Sequence, residues 1–195
     1  GVPVIQVYGS TETAPIVIHQ RIPDAWTTRG STGRAALHCD ARIEDPSGNV
    51  LGPEERGEIV VRGPNIMTEY WNDPDASAEV LKDGWFHTGD IGHVDENGLF
   101  YVDDRMKDVI ISGSENIYPA ELEMVLDGCG DIAEAAVVGR ADEKWGEVPV
   151  AVIVPAPGTE LSRDDVLALF DGKLARFKHP HDVIFKETLP RNVMG

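Results

Sequence analysis

Tyr8-Gly9-Ser10-Thr11-Glu12 sets an aromatic ring, a residue without a side chain, two hydroxyls and a carboxylate in a row, directly after an apolar stretch. An aromatic ring can stack on a purine, and glycine lets backbone approach a ligand closely. A hydroxyl can bond a phosphate oxygen, and a carboxylate can hold Mg²⁺ with water and phosphate completing the octahedron. A second group follows at Trp85-Phe86-His87-Thr88-Gly89-Asp90. A fixed carboxylate at Asp90 could accept hydrogen bonds from both hydroxyls of a ribose. Arg105 then offers a fork of donors to ribose or phosphate oxygens. Lys107 sits in a charged joint, where a residue can absorb a large φ/ψ change without breaking a core. The small-residue turn Ser112-Gly113-Ser114 comes next. Taken singly, these groups equally describe a polar strand-end turn, a β-turn with Gly89-Asp90 at its tip, and a solvated charge cluster. Their occurrence together, in this order, favours the chemical reading.

The elements that must position them fall into two textures. Residues 2–7 read as a strand running into the first group. Arg42-Ile43-Glu44 and Val50-Leu51 flank a turn at Asp45-Pro46-Ser47-Gly48-Asn49, and residues 57–63 form a bounded strand. Residues 92–95 and 99–102 flank Glu96-Asn97-Gly98, and Asn-Gly between apolar runs is a strong hairpin cue. Residues 74–81 give the one convincing helix of this stretch, so 1–103 is expected to be mostly β, barrel-like or a small sheet. From Asp104 helices and strands alternate. Pro119 starts a helix with Leu122, Val125 and Leu126 on one face and Gly128 as its stop. Residues 132–138, 148–154 and 183–185 read as strands. Ser162 reads as an N-cap with Asp165 in a capping-box position, and Val166, Leu167, Leu169, Phe170 and Leu174 carry the apolar face. The fold class is α+β, with domains at 1–103 and 104–195 and the junction at residues 103–107.

At 195 residues the chain is one large domain or two small ones, and 42% hydrophobic residues supply a real core. No apolar run approaches the ~20 residues of a bilayer span, and no basic-then-apolar leader is visible. The chain opens at Gly1 on a strand already in progress and stops at Gly195 inside a motif, which reads as a piece of a longer protein. The net charge of −17 disfavours nucleic acid and anionic membranes as partners. Any anion site must therefore be made locally, from Arg, Lys, backbone N–H groups and metal. Cys39 and Cys129 lack metal-ligand spacing and read as reduced cytosolic thiols.

The two upstream groups and the run from Asp104 to Glu123 together resemble the nucleotide-handling motifs of the acyl-adenylate-forming (AMP-binding) enzymes: acyl-CoA synthetases, luciferases and peptide-synthetase adenylation domains. The resemblance spans nearly the whole chain. It implies the C-terminal part of an acid–CoA ligase, with 1–103 as the β-rich end portion of the large AMP-binding domain and 104–195 as a small α+β lid. A carboxylate would be adenylated by Mg·ATP, and the CoA thiol would then displace AMP. Catalytic roles would fall to Thr11 near the α-phosphate, Glu12 on Mg²⁺ and Lys107 as hinge. Tyr8 would lie on adenine, with Gly9 and Ser10 beside it, Asp90 on the ribose and Arg105 on ribose or phosphate. Gly113 and Ser114 would lie near the pantetheine arm of CoA, and Ser114 stands where the family usually has glycine, which narrows that approach. His87 is not needed as a base, since a carboxylate attacking phosphorus is already ionised at neutral pH. Lys173, Arg176, Lys178 and His179 form a basic island suited to CoA phosphates or to a solvated face.

The family's adenylation lysine would follow directly on Leu189-Pro190-Arg191-Asn192-Val193-Met194-Gly195, and its phosphate loop and acyl pocket would lie upstream of Gly1. These 195 residues alone are therefore expected to be inactive. The resemblance further implies ATP or AMP, Mg²⁺ and CoA as ligands, a small carboxylic acid as substrate, fatty acid metabolism and a cytoplasmic setting. It leaves an oligomer open. Loading of a carrier protein, or a non-catalytic adenylate-binding module, are the alternative readings.

Overall fold

The computed structural model describes residues 1–191. It is α+β and mostly sheet, and it divides into two compact units, Gly1–Met106 and Lys107–Gly195. The final four residues of the expected lysine approach lie outside the described residues.

The first unit is an eight-stranded antiparallel sheet. Its strands are β1 (Val7–Tyr8), β2 (Ile18–His19), β3 (Ser31–Ala35), β4 (Asp40–Glu44) and β5 (Gly57–Arg62). After helix α1 (Pro74–Val80) come β6 (Leu81–Lys82), β7 (Trp85–Val94) and β8 (Phe100–Arg105). They run in the order β1-β2-β3-β8-β7-β5-β4, with β6 added to β7. Asp73 caps α1 by accepting from the Ala76 amide, and Pro74 fills its first turn. Asn97-Gly98 closes the β7–β8 hairpin as its dipeptide predicts, with Gly98 at φ +76°. Val17, Ile18, Ile43, Ile59, Val61, Phe86 and Phe100 form the core.

The structure corrects one sequence expectation in this unit and removes one alternative. The strand expected over 2–7 is confined to Val7–Tyr8. The 85–90 group is not a turn tip but the first part of β7. The first unit runs to Met106, and β8 continues to Arg105: Asp104 pairs with Ile91 and Arg105 with Asp90.

The second unit holds the hairpin β9 (Ile110–Ser112) and β10 (Glu115–Ile117), then helix α2 (Pro119–Asp127). The long pair β11 (Ile132–Asp142) and β12 (Gly146–Pro155) follows, then helix α3 (Arg163–Ala168) and β13 (Asp182–Phe185). β12 is central, antiparallel to β11 along its length and parallel to β13. Ser162 and Asp165 form the capping box read from the sequence. α3 is shorter than the expected apolar face, and the chain turns through Leu169 and Phe170 instead. Phe170 is fully buried there, packed with Ile110, Ile117, Leu122, Leu126 and Ile153. Phe170→Ala is expected to destabilise the second unit by about 3–5 kcal/mol, since a buried ring is lost and a cavity left. Urea unfolding followed by a probe in that unit would show the shift, and an unchanged midpoint would contradict this packing.

Candidate functional site

Tyr8 and Asp90 lie four strands apart in the order of the sheet. At about 4.8 Å per strand, a flat sheet would separate them by roughly 19 Å. Instead the Tyr8 hydroxyl donates to Asp90 Oδ2 at 2.7 Å. The sheet therefore curls on itself, which settles the barrel-like reading in favour of strong curvature. Arg105, the direct cross-strand partner of Asp90, sets its Nε 3.1 Å from Asp90 Oδ1. A ring, a carboxylate and a guanidinium from three separate segments thus meet at one rim.

Asp90 reaches that rim through a bulge. Along β5 and β7, Glu58 pairs with Ile91 and Val60 with His87, so Ile59 alone stands opposite Thr88, Gly89 and Asp90. Gly89 takes φ +71° with open space where a Cβ would go, so backbone conformation rather than crowding calls for glycine. The Thr88 hydroxyl donates to Ile59 O at 2.7 Å and accepts from the Asp90 amide at 3.1 Å.

The first motif leaves β1 and enters a short 3₁₀ turn, Thr11–Thr13. Gly9 is required by a close approach, but to its own chain: a Cβ there would lie 1.7 Å from Pro15 O. Ser10 and Thr11 are exposed, while the Ser10 amide donates to Thr13 Oγ1 at 2.8 Å. The carboxylate of Glu12 accepts from the Tyr70 hydroxyl at 3.0 Å. The backbone around it is stitched to the same segment, with Met67 N donating to Glu12 O and Asn65 Nδ2 to Thr13 O. Tyr70 and Asn65 were not singled out from the sequence. Their spacing carries no signal, because what they hold is more than fifty positions away.

The electrostatics follow the geometry. Burial pushes the Tyr8 phenol well above its ordinary value, and the negative charge of Asp90 adds to this. The Ser10 hydroxyl and the Glu12 amide hold the Glu12 carboxyl below the usual range, aided by Tyr70 and the charge of Arg105. Among the described residues no group of three or more His, Cys, Asp or Glu is arranged to hold a metal. One ionised carboxylate does fit Mg²⁺ that arrives on a phosphate and keeps most of its water.

In the second unit Lys107 is exposed at its start. Gly113 and Ser114 form the two-residue loop between β9 and β10. Gly113 takes φ +66° while Ser114 has no positive φ, the pattern of a type II′ turn, so the serine is accommodated without strain. The Gly113 amide donates to Trp145 O at 2.6 Å. The basic island is partly spent, because Lys178 pairs with Glu121 and His179 Nε2 lies 3.1 Å from Leu174 O. Glu123 is structural, accepting from the Val137 amide at 2.9 Å. Both cysteines are free thiols, and no described helix is long and apolar enough to cross a membrane.

Residues 1–71 match the family described as AMP-binding enzyme, and residues 121–195 match the AMP-binding enzyme C-terminal domain. The chain is 56% identical to an indoleacetate–CoA ligase of Aromatoleum aromaticum over 195 residues, covering all of this chain and 38% of that protein. A feruloyl-CoA synthase of an Amycolatopsis species is 47% identical over the same length, 40% of its own. Among solved structures, the o-succinylbenzoate CoA synthetase of Bacillus subtilis in complex with its acyl-adenylate intermediate matches with a TM-score of 0.91. It is 41% identical over 98% of this chain and 39% of that one. The chain thus spans about two fifths of the length of these relatives.

The Tyr8–Asp90 bond is open to test. Tyr8→Phe keeps the ring but leaves Asp90 one donor short, and should cost about 1.5–3 kcal/mol as a hydrogen bond to a charged group, less any contribution from water. The phenol is raised in the folded state, so its stabilisation is full below the ordinary tyrosine range and fades as pH climbs through it. Stability of the parent protein should fall above about pH 10, and less so in Tyr8→Phe. Identical alkaline profiles for the two would contradict the assignment.

Proposed function

We propose that this chain, which belongs to the AMP-binding enzyme family, carries the nucleotide-binding rim and the lid of an ATP-dependent acid–CoA ligase. The observation that supports it most is the convergence of Tyr8, Asp90 and Arg105, with Glu12 close enough to feel the charge of Arg105. An aromatic face, a carboxylate with lone pairs for vicinal hydroxyls and a local cation match a purine, a ribose and a phosphate in turn.

Tyr8 takes the purine face, with Gly9 and Ser10 in the wall beside it. Asp90 accepts from the ribose hydroxyls, and Arg105 donates to ribose or α-phosphate oxygens. Thr11 donates its hydroxyl to the α-phosphate. Glu12 would hold Mg²⁺, which when bound neutralises phosphate charge. In the first step a substrate carboxylate oxygen attacks the α-phosphorus, the bond to the bridging oxygen breaks, and pyrophosphate leaves with that electron pair. The acid needs no base, being ionised already. In the second step the CoA sulfur attacks the acyl carbon, losing its proton, and AMP leaves with the acyl C–O pair. Lys107 is the pivot between the steps, and the Gly113-Ser114 loop lies beside the incoming thiol arm.

The substrate we propose is an aromatic carboxylic acid rather than a fatty acid, because the relatives are named for indoleacetate, ferulate and succinylbenzoate. The same names favour CoA over a carrier protein as acceptor. The setting we propose is the cytoplasm. The 195 residues alone should form no acyl-CoA, since they span only about two fifths of such enzymes.

The test is acid-dependent pyrophosphate release by the full-length protein, with aromatic and fatty acids, with and without CoA. Aromatic acids should be preferred, and acyl-CoA should form. Glu12→Gln should lower the adenylation rate on the order of 10²-fold, as for loss of one transition-state charge stabiliser. Nucleotide binding without any pyrophosphate release would replace the enzyme with a binding module.

A further inference from the structure

Glu58 lies on β5, outside every motif above, and its side chain is 16% exposed. Its carboxylate does two things at once. Oε1 accepts from the Gly89 amide at 2.9 Å, and Oε2 lies 2.7 Å from His87 Nδ1. The Gly89 amide sits in the bulge, where β7 holds three residues opposite Ile59 alone. A bulge leaves ladder groups without their strand partner. One oxygen of Glu58 stands in for that partner, and the other ties down the residue preceding Thr88. Together they grip the bulge on both sides of Thr88, immediately before Asp90.

We propose that Glu58 is a positioning residue for nucleotide binding: its carboxylate fixes the bulge in the conformation that presents Asp90 to Tyr8, Arg105 and the ribose. This rests on the reading of Asp90 as the ribose acceptor. Glu58 itself touches no substrate and acts only through Asp90. The role is one of reach rather than charge. A glutamine can still accept from the Gly89 amide through its oxygen and meet His87 with its NH₂. An aspartate keeps the charge but falls one methylene short.

The experiment uses the full-length enzyme and measures KM for ATP, KM for the acid and kcat in pyrophosphate release. Glu58→Ala and Glu58→Asp should each raise KM for ATP by about tenfold to a hundredfold, the scale of one charge-assisted hydrogen bond. KM for the acid should stay within about twofold, and Glu58→Gln should recover most of the ATP affinity. In an Asp90→Ala background, Glu58→Asp should add almost nothing, because its route of action is already gone. If Asp90→Ala alone leaves KM for ATP unchanged, the ribose reading itself fails. If Asp90→Ala raises it but Glu58→Asp does not, or Asp rescues better than Gln, only the positioning role is overturned. Should Glu58→Ala not fold, the Asp and Gln variants and the double variant decide the matter.

Discussion

Everything at the rim depends on one carboxylate being held against its natural tendency to face solvent. Asp90 is part-buried on a strand, between a phenol that must stay protonated and a guanidinium that is mostly exposed. A charge in that position is tolerated because its oxygens already have partners. Both partners leave lone pairs free, so the carboxylate arrives fixed in place yet able to accept more. That is the state a hydroxyl-binding acceptor needs before a ligand arrives, since ordering it afterwards would cost affinity.

The chain as a whole works against such a site, with a net charge of −17 and no attraction for polyanions at a distance. The local arrangement offsets this with a cation at the rim, Arg105. Arg105 lies beside Asp90 and close enough to lower the Glu12 carboxyl and oppose the rise at Tyr8. On the proposed reading, a phosphate there would meet positive charge only within a few ångströms. Selectivity then comes from fit rather than from steering, and salt should weaken the encounter little.

The candidate residues could be singled out because their types are compact in sequence: five consecutive residues at Tyr8 and six at Trp85. Hairpins marked by Asn97-Gly98, the Pro119 helix start and the Ser162 capping box are equally local, and all three stand in the structure. What could not be read is what depends on distance along the chain. The curl that joins Tyr8 to Asp90 spans 82 positions, the Tyr70 hold on Glu12 spans 58, and no periodicity encodes either. Glu58 reads in the sequence only as part of the strand over residues 57–63. Gly89 leaves a turn open as an alternative because glycine is a strong local punctuator, whereas here it bends a continuing strand.

The position of the unit boundary carries its own consequence. β8 ends at Arg105, paired to Asp90 by the ladder as well as by its side chain, and the second unit begins two residues later at Lys107. A rotation at Lys107 would therefore turn the second unit without moving Arg105, whose backbone belongs to the first sheet. A boundary at residue 103 would instead have assigned Arg105 to the second unit, although its backbone pairs with Asp90 in the first. The two residues by which β8 runs past 103, Asp104 and Arg105, are what keep that guanidinium on the sheet that carries Asp90.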